Sequence, residues 1–371
     1  MRITPFAIER YFALHEFTAR HVLSCSDCEA LTLAEVLALA DVETRARWDA
    51  LRLAYTESQG HPLLRREVAG LYPAVEPDEV LEVVPEEGIL LVMHALLEPG
   101  DHVVATWPGY QSLFQVARDL GCEVTPWRPA EDRGWRFEVD DLRAALRPTT
   151  RLVVVNFPHN PTGALPTREE LVRLAALVGE NGAFLFSDEM YRWLEREPGD
   201  LLPSAVELSR RSVVLGGLSK SLSAPGLRVG WLVTHDATLR QQLAVAKDYT
   251  TICGSAPSEV LALAILRARD EIFARNRARI RANVAAFDAF VERHRGLLGW
   301  TPPAAGPVAF VRLAAREGAA AFCRRLVEEA GVMLLPSTVF DYGDAHVRVG
   351  LGRASLGDGL SALEGWIAQR A

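Results

Sequence analysis

The chain has 371 residues and a formal net charge of −8. Hydrophobic residues make up 49% and charged residues 24%, an ordinary globular balance that excludes disorder and collagen-like structure. The acidic balance comes without a basic stripe, so no nucleic-acid partner is expected, and no apolar run reaches the ~18 residues of a membrane span.

At roughly 150 residues per domain the length suggests about two domains. The first ~30 residues sustain no apolar period and are expected to form an irregular arm. Met1 to Arg10 lacks the apolar core of a signal peptide. The five cysteines, Cys25, Cys28, Cys122, Cys253 and Cys323, are odd in number and scattered, as expected for a reducing cytoplasm. Cys25 and Cys28 form a lone C-x-x-C without a second ligand pair, so no metal is expected.

Helical patterning begins near Leu31–Leu39, and Pro62 opens a helix over Leu63–Leu71. Strands and helices then alternate. Strands are expected at Leu81–Val84, His102–Thr106, Glu123–Pro126, Arg151–Asn156, Ala183–Ser187, Ser212–Leu218 and Leu227–Val233. Helices are expected through Met93 to Leu97, and at Tyr110–Leu120, Val139–Leu146 and Arg168–Gly179. The run Arg151–Asn156 (RLVVVN) is continuously apolar, as in a strand buried on both faces. This order argues for an α/β fold with a mostly parallel sheet covered on both sides. After Ala256 one long helix is expected from Pro257 to His294. Short strands near Val308–Val311 and Val347–Val349 and helices at Ala319–Glu329 and Leu360–Gln369 then form a smaller α+β unit.

Only two lysines occur, Lys220 and Lys247. Arginine stays protonated and cannot form an imine, so any Schiff-base chemistry must fall to one of these two. Open parallel sheets bind ligands at the carboxyl ends of their strands. Several polar signals lie there: Asn156-Phe157-Pro158-His159-Asn160-Pro161-Thr162-Gly163, Ser187-Asp188-Glu189-Met190-Tyr191 and Leu218-Ser219-Lys220, with Arg228 eight residues further on. Each alone reads as a turn, a helix cap or a surface charge. Their joint order is far more specific.

As a set, these residues resemble the fold-type I pyridoxal-phosphate enzymes, class I/II aminotransferase group, from about Tyr55 to the C-terminus. That resemblance implies a mostly parallel seven-stranded sheet flanked by helices, plus a smaller α+β domain. It divides the chain into an N-terminal arm and part of the small domain at 1–40, a large cofactor-binding domain at 41–285 and a small domain at 286–371. The implied cofactor is pyridoxal 5′-phosphate, an electron sink that needs a lysine, a partner for its ring nitrogen and a phosphate anchor. The implied reaction moves an amino group between an L-amino acid and a 2-oxo acid through a Lys220 Schiff base.

By the same resemblance, Asp188 would pair with the ring nitrogen, Asn160 and Tyr191 would bond the ring oxygen, and Tyr110 would stack on the ring. Arg228, Ser219 and the segment holding Glu86 and Glu87 would meet the phosphate. Arg348, together with Asn160, would hold the substrate carboxylate. Tyr55 would reach the phosphate of a neighbouring subunit, which implies a homodimer with shared sites.

Departures from the family pattern are also present. Val84-Pro85-Glu86-Glu87-Gly88 stands where the phosphate loop usually carries small residues, and Pro85 offers no N–H. Gly217 stands where the family usually has a hydroxyl, so weaker cofactor retention is expected. The segments Leu23–Glu29, Asn156–Ala164 and Lys247–Thr251 look more like capreomycidine-synthase-type cyclases, which close a ring on a hydroxylated arginine. For that alternative, Glu16, Asp27, Glu29 or Asp248 would face a guanidinium.

Overall fold

The computed structural model describes residues 3–370. Residues 1, 2 and 371, ends of the expected arm and small domain, lie outside the described residues. The principal sheet has seven strands: β1 (Val80–Val83), β2 (His102–Thr106), β3 (Glu123–Trp127), β4 (Thr150–Asn156), β5 (Phe184–Asp188), β6 (Ser212–Gly217) and β7 (Gly230–Val233). Their order across the sheet is β1-β7-β6-β5-β4-β2-β3. Only β7 runs against the others, pairing antiparallel with both β1 and β6.

The sequence of β4 explains its place in the middle. Leu152 and Val154 point into one apolar cluster, and Val153 and Val155 into the other. All four are fully buried. Successive side chains of a strand take opposite faces, so a run without polar interruption feeds two cores. Each such side chain contributes about 1.5–3 kcal/mol through burial. The carboxyl ends of β4, β5 and β6 therefore open together at one edge.

Two sequence expectations need correction. The arm is not irregular: Ala7–His15 forms helix α1. Ile8, Tyr11, Phe12 and His15 recur at helical spacing, but a run of nine residues is too short for that period to stand out. The arm is pinned to the helix at Ser112–Asp119, where Thr4 N donates to Asp119 Oδ2 at 2.9 Å and Ala7 N to Gln111 Oε1 at 2.7 Å. A second helix relevant below, α2, covers Pro85–Leu96.

The expected single helix after Ala256 is two helices, α3 (Ala256–Arg267) and α4 (Arg269–Arg293). From Leu261 to Leu266 every side chain of α3 is buried, whereas α4 opens on Arg269, Asp270 and Glu271 and carries charged residues along its length. Where that environment changes, Arg267 bonds Asp41, Glu43 and Glu67, and Arg269 caps the Leu266 carbonyl. The expected domain boundary after residue 285 falls inside α4.

Beyond α4, strands β8 (Val308–Leu313) and β9 (His346–Gly350) pair antiparallel in a four-stranded sheet, flanked by Leu298–Gly299 and Leu335–Pro336. A separate apolar cluster, including Phe287, Phe290, Val311 and Trp366, lies beneath them. The arm crosses to this unit: His21–Val22 pairs in parallel with Val332–Met333. A Cβ on Gly350 would stand 2.0 Å from the Cys25 carbonyl oxygen, so only glycine lets the arm lie this close to β9. Cys25 and Cys28 are buried free thiols. Among the described residues no helix is long and apolar enough to cross a membrane.

Candidate active site

A cavity of about 510 Å³ lies at the carboxyl ends of β4, β5 and β6. Lys220 enters it from the turn after β6. That turn is fixed by Ala224 N donating to the Leu218 carbonyl at 2.9 Å. Buried Asn276 on α4 also holds it, donating to the Ser221 carbonyl at 3.0 Å and to Ser223 Oγ at 2.8 Å. Lys220 Nζ donates to Ser26 Oγ at 2.8 Å and lies 6.0 Å from the centre of the Tyr191 ring.

Asp188 ends β5 and is buried. Burial pushes its carboxyl up to about 7, although the Met190 N–H on Oδ1 and the nearby Lys220 cation pull it down. Such a shift is a stored preference for a positive partner, because a buried carboxylate without one is poorly solvated. Asn156, at the end of β4, donates to the Asp188 carbonyl at 3.0 Å and accepts from Asn160 N at 2.8 Å. This pair of bonds sets the Asn160 side chain at the cavity wall. Beside it His159 is buried, its Nδ1 2.7 Å from Thr162 Oγ1, and burial pulls its imidazole down to about 3, so it stays neutral.

Arg348, from β9, meets Asn160 from the other unit. Its Nη1 donates to Asn160 Oδ1 at 3.2 Å, while Nε and Nη2 donate to the Ser24 carbonyl at 3.2 and 2.8 Å. Arg348 is 2% exposed. Tyr110 and Glu86 line the cavity opposite. Burial, then the Glu86 and Glu9 carboxylates, push the Tyr110 hydroxyl up. Burial likewise raises Glu86, while the neighbouring Ser112 and Tyr110 hydroxyls lower it. Arg228 stands at the exposed rim in a left-handed conformation, with φ of 58°, its Nη1 donating to the Pro225 carbonyl at 2.9 Å.

The cavity thus gathers Lys220, Asp188, Tyr191, Asn160, Tyr110, Arg228, Ser219 and Glu86, with Arg348 against Asn160. Two expected residues are not among them. Glu87 turns away: its carboxylate accepts from Thr251 N at 3.2 Å, Thr251 Oγ1 at 2.8 Å and Val84 N at 3.0 Å. Adjacent residues of a helix point about 100° apart, so α2 sends Glu86 inward and Glu87 outward. Tyr55 lies outside the cavity, 89% exposed.

Sequence reasoning missed Ser24, Ser26 and Glu9. The first two sit in the Leu23–Glu29 segment, where its C-x-x-C and its likeness to cyclases gave neither serine a role. Glu9 required the unrecognised helix α1. At Gly217 an added Cβ would stand 3.1 Å from Met190 Sδ, Met190 Cε and Gly230 Cα. Met190 therefore occupies the space that a hydroxyl-bearing side chain would need.

The residues present suit pyridoxal phosphate. Among the described residues, Ser219 Oγ is buried with no partner and Asp188 has no ion-pair partner, while the Lys220 amine, bonded only to Ser26 Oγ, lines the cavity. Such a site on such a sheet defines a fold-type I pyridoxal-phosphate enzyme.

The description "aminotransferase class I and II" belongs to the family model that matches residues 26–357, and the chain is a member of that family. It is 32% identical over 361 residues to capreomycidine synthase of Streptomyces vinaceus, covering 96% of this chain and 90% of that one. A PLP-dependent aminotransferase from Streptococcus suis superposes with a TM-score of 0.92 at 32% identity, covering 100% and 99% of the two chains. The PLP-dependent cyclase OrfR superposes with a TM-score of 0.90 at 30% identity, again covering 100% and 99%.

Proposed function

We propose that this chain moves an amino group between an L-amino acid and a 2-oxo acid, with Lys220 as its central residue. The observation that carries this reading is Arg348. A buried guanidinium bonded to Asn160, which lines the same cavity as Lys220, suits a substrate carboxylate beside a reactive amine.

Pyridoxal phosphate, when bound, draws electrons from the substrate Cα and loosens its C–H bond. Lys220 would hold the cofactor through Nζ and carry the Cα proton on that same atom. Asp188 would face the ring nitrogen and keep it protonated. Asn160 and Tyr191 would bond the ring oxygen, Tyr110 would lie against the ring, and Ser219 and Arg228 would take the phosphate. Pro85 withholds one backbone donor from that phosphate and Glu86 places a carboxyl near it, so a weakly held cofactor is in keeping with this site.

The test is a single-pass reaction. Loaded protein mixed with an L-amino acid and no acceptor should release about one 2-oxo acid per site, and an added 2-oxo acid should restore turnover. Absence of any oxo acid across the common amino acids would defeat the reading. Replacing Arg348 by lysine should raise the donor KM about 30-fold with a smaller change in kcat, because a point charge cannot give the two parallel bonds of a guanidinium. Initial-rate kinetics measure this split.

A second reading, cyclisation of a guanidino amino acid, is favoured by one feature of the arm. Glu9, Phe12 and Glu16 recur at a spacing that places them on one face of the arm helix, and Glu9 lines the cavity. Burial, then the Asp27 and Glu9 carboxylates, push Glu16 up, a repulsion that a cationic substrate group would relieve. Asp27 is already committed to Arg353 at 2.9 Å, and Glu29 to the Ala354 N–H. A hydroxylated arginine converted to a product lighter by one water, without oxo acid, would select this reading.

We further propose a homodimer in which Tyr55 enters the neighbouring subunit's site. Tyr55, Leu53, Tyr249 and Ile252 are exposed on two loops tied together by Lys247 Nζ donating to the Ser58 carbonyl at 2.6 Å. Five free cysteines favour a cytoplasmic setting.

A further inference from the structure

Arg348 and Asn160 come from different units of the fold, so something must set the distance between them. The loop over 128–138 touches the segments that carry them. An antiparallel bridge between Ala130 and Arg136 closes it, with Ala130 N donating to the Arg136 carbonyl at 2.8 Å. Within it Trp135 holds a φ of 64°, unusual for a bulky side chain, while its own N–H bonds the Ala130 carbonyl at 2.9 Å.

On one side, Phe137 meets His159 edge-on at 4.8 Å and Phe157 at 5.4 Å, in the segment that carries Asn160. On the other side the loop reaches the ladder of β8 and β9. There Phe310 lies opposite Arg348, and Arg312 opposite His346. Alternate residues of a strand share a face, so His346 and Arg348 face the same way. Glu131 Oε1 accepts from His346 Nε2 at 2.9 Å and from Arg312 Nε at 3.1 Å. Trp135 packs against Phe310 and His346, each at 5.6 Å.

Two residues along the strand from Arg348, one carboxylate therefore fastens the ladder to the loop that also braces Asn160. We propose that this loop is a strut that sets the spacing of the carboxylate clamp, with Glu131 as its positioning residue. Glu131 touches neither cofactor nor substrate; it acts by holding β9 in place. The proposal rests on the reading of Arg348 as the group that grips the substrate carboxylate.

Glu131→Gln keeps the volume and removes the charge. It should raise the donor KM about ten-fold and leave kcat within about two-fold. Amide hydrogen exchange of His346–Gly350 in the cofactor-loaded protein should quicken, with Thr150–Asn156 unchanged. A donor KM within about two-fold of the parent, or a fall in kcat at constant KM, would overturn the proposal.

Should Glu131→Gln fail to fold, Arg312→Gln serves instead, because that side chain is 65% exposed. It should raise the donor KM about three-fold, and an unchanged KM overturns the strut. If no amino donor turns over at all, the Arg348 reading fails by itself. Hydrogen exchange then decides the strut separately: equal rates across β9 in parent and variant would sink it.

Discussion

Lys220→Ala should lower turnover at least about ten-thousand-fold while leaving the fold intact, because one atom is asked to anchor the cofactor and to carry a proton. The side chain contributes little to packing. Its amine makes one hydrogen bond, to Ser26 Oγ, and the remainder faces the cavity. The turn that carries it is held by backbone bonds and by Asn276, none of which involves the lysine side chain. Borohydride reduction followed by peptide mapping should place the cofactor on residue 220 in the parent and nowhere in the variant. Trapping at Lys247 would overturn the assignment. Lys247 is fully buried in an ion pair with Glu82 at 2.9 Å, which leaves it no access to a ligand.

Asp188→Asn should cost about a thousand-fold in turnover, since the amide keeps the shape but cannot hold a proton on a ring nitrogen. It also has a consequence for stability. In the unfolded chain the aspartate titrates near its ordinary value of about 3.9. In the folded, cofactor-free protein burial moves it up to about 7. The native state therefore binds the proton more tightly, and stability falls as pH rises from about 4 to about 7, by roughly 4 kcal/mol at most for this residue. Asparagine has no such proton and retains the acceptor for the Met190 N–H. Cofactor-free parent should lose more of its thermal midpoint between pH 5 and pH 8 than the variant does. Glu195, pushed by burial to about 7 as well, contributes the same slope to both proteins. Equal shifts in the two would contradict the assigned burial effect.

The sheet was legible because its signals are local. RLVVVN announces a strand covered on both faces, and the residues that end β4, β5 and β6 follow directly in sequence. Lys220, Asp188 and Asn160 were readable for the same reason. Helix α1 was not, because its nine residues give the apolar period fewer than three turns in which to show. Its position depends on bonds from Thr4 and Ala7 to a helix more than a hundred residues away. The strut was equally hidden. Glu131 and His346 are 215 residues apart, and neither belongs to a motif. The break at Ala268 had no proline or glycine to mark it; a change from enclosed to charged surroundings made it. Glu87 shows a further limit, since neighbouring acids on one helix have different destinations that spacing alone does not assign.

The arm has one more implication. Glu9 lines the cavity, while the Ser24 carbonyl bonds Arg348 and Ser26 Oγ bonds Lys220. All three lie within a short contiguous stretch that precedes every residue assigned to the coenzyme. Part of the surface that greets an incoming molecule is thereby encoded ahead of the residues that transform it, while the Arg348 clamp is encoded near the other end of the chain. Any change of that leading stretch therefore alters the approach to the cavity and, through Ser24 and Ser26, reaches both the clamp and the reactive amine.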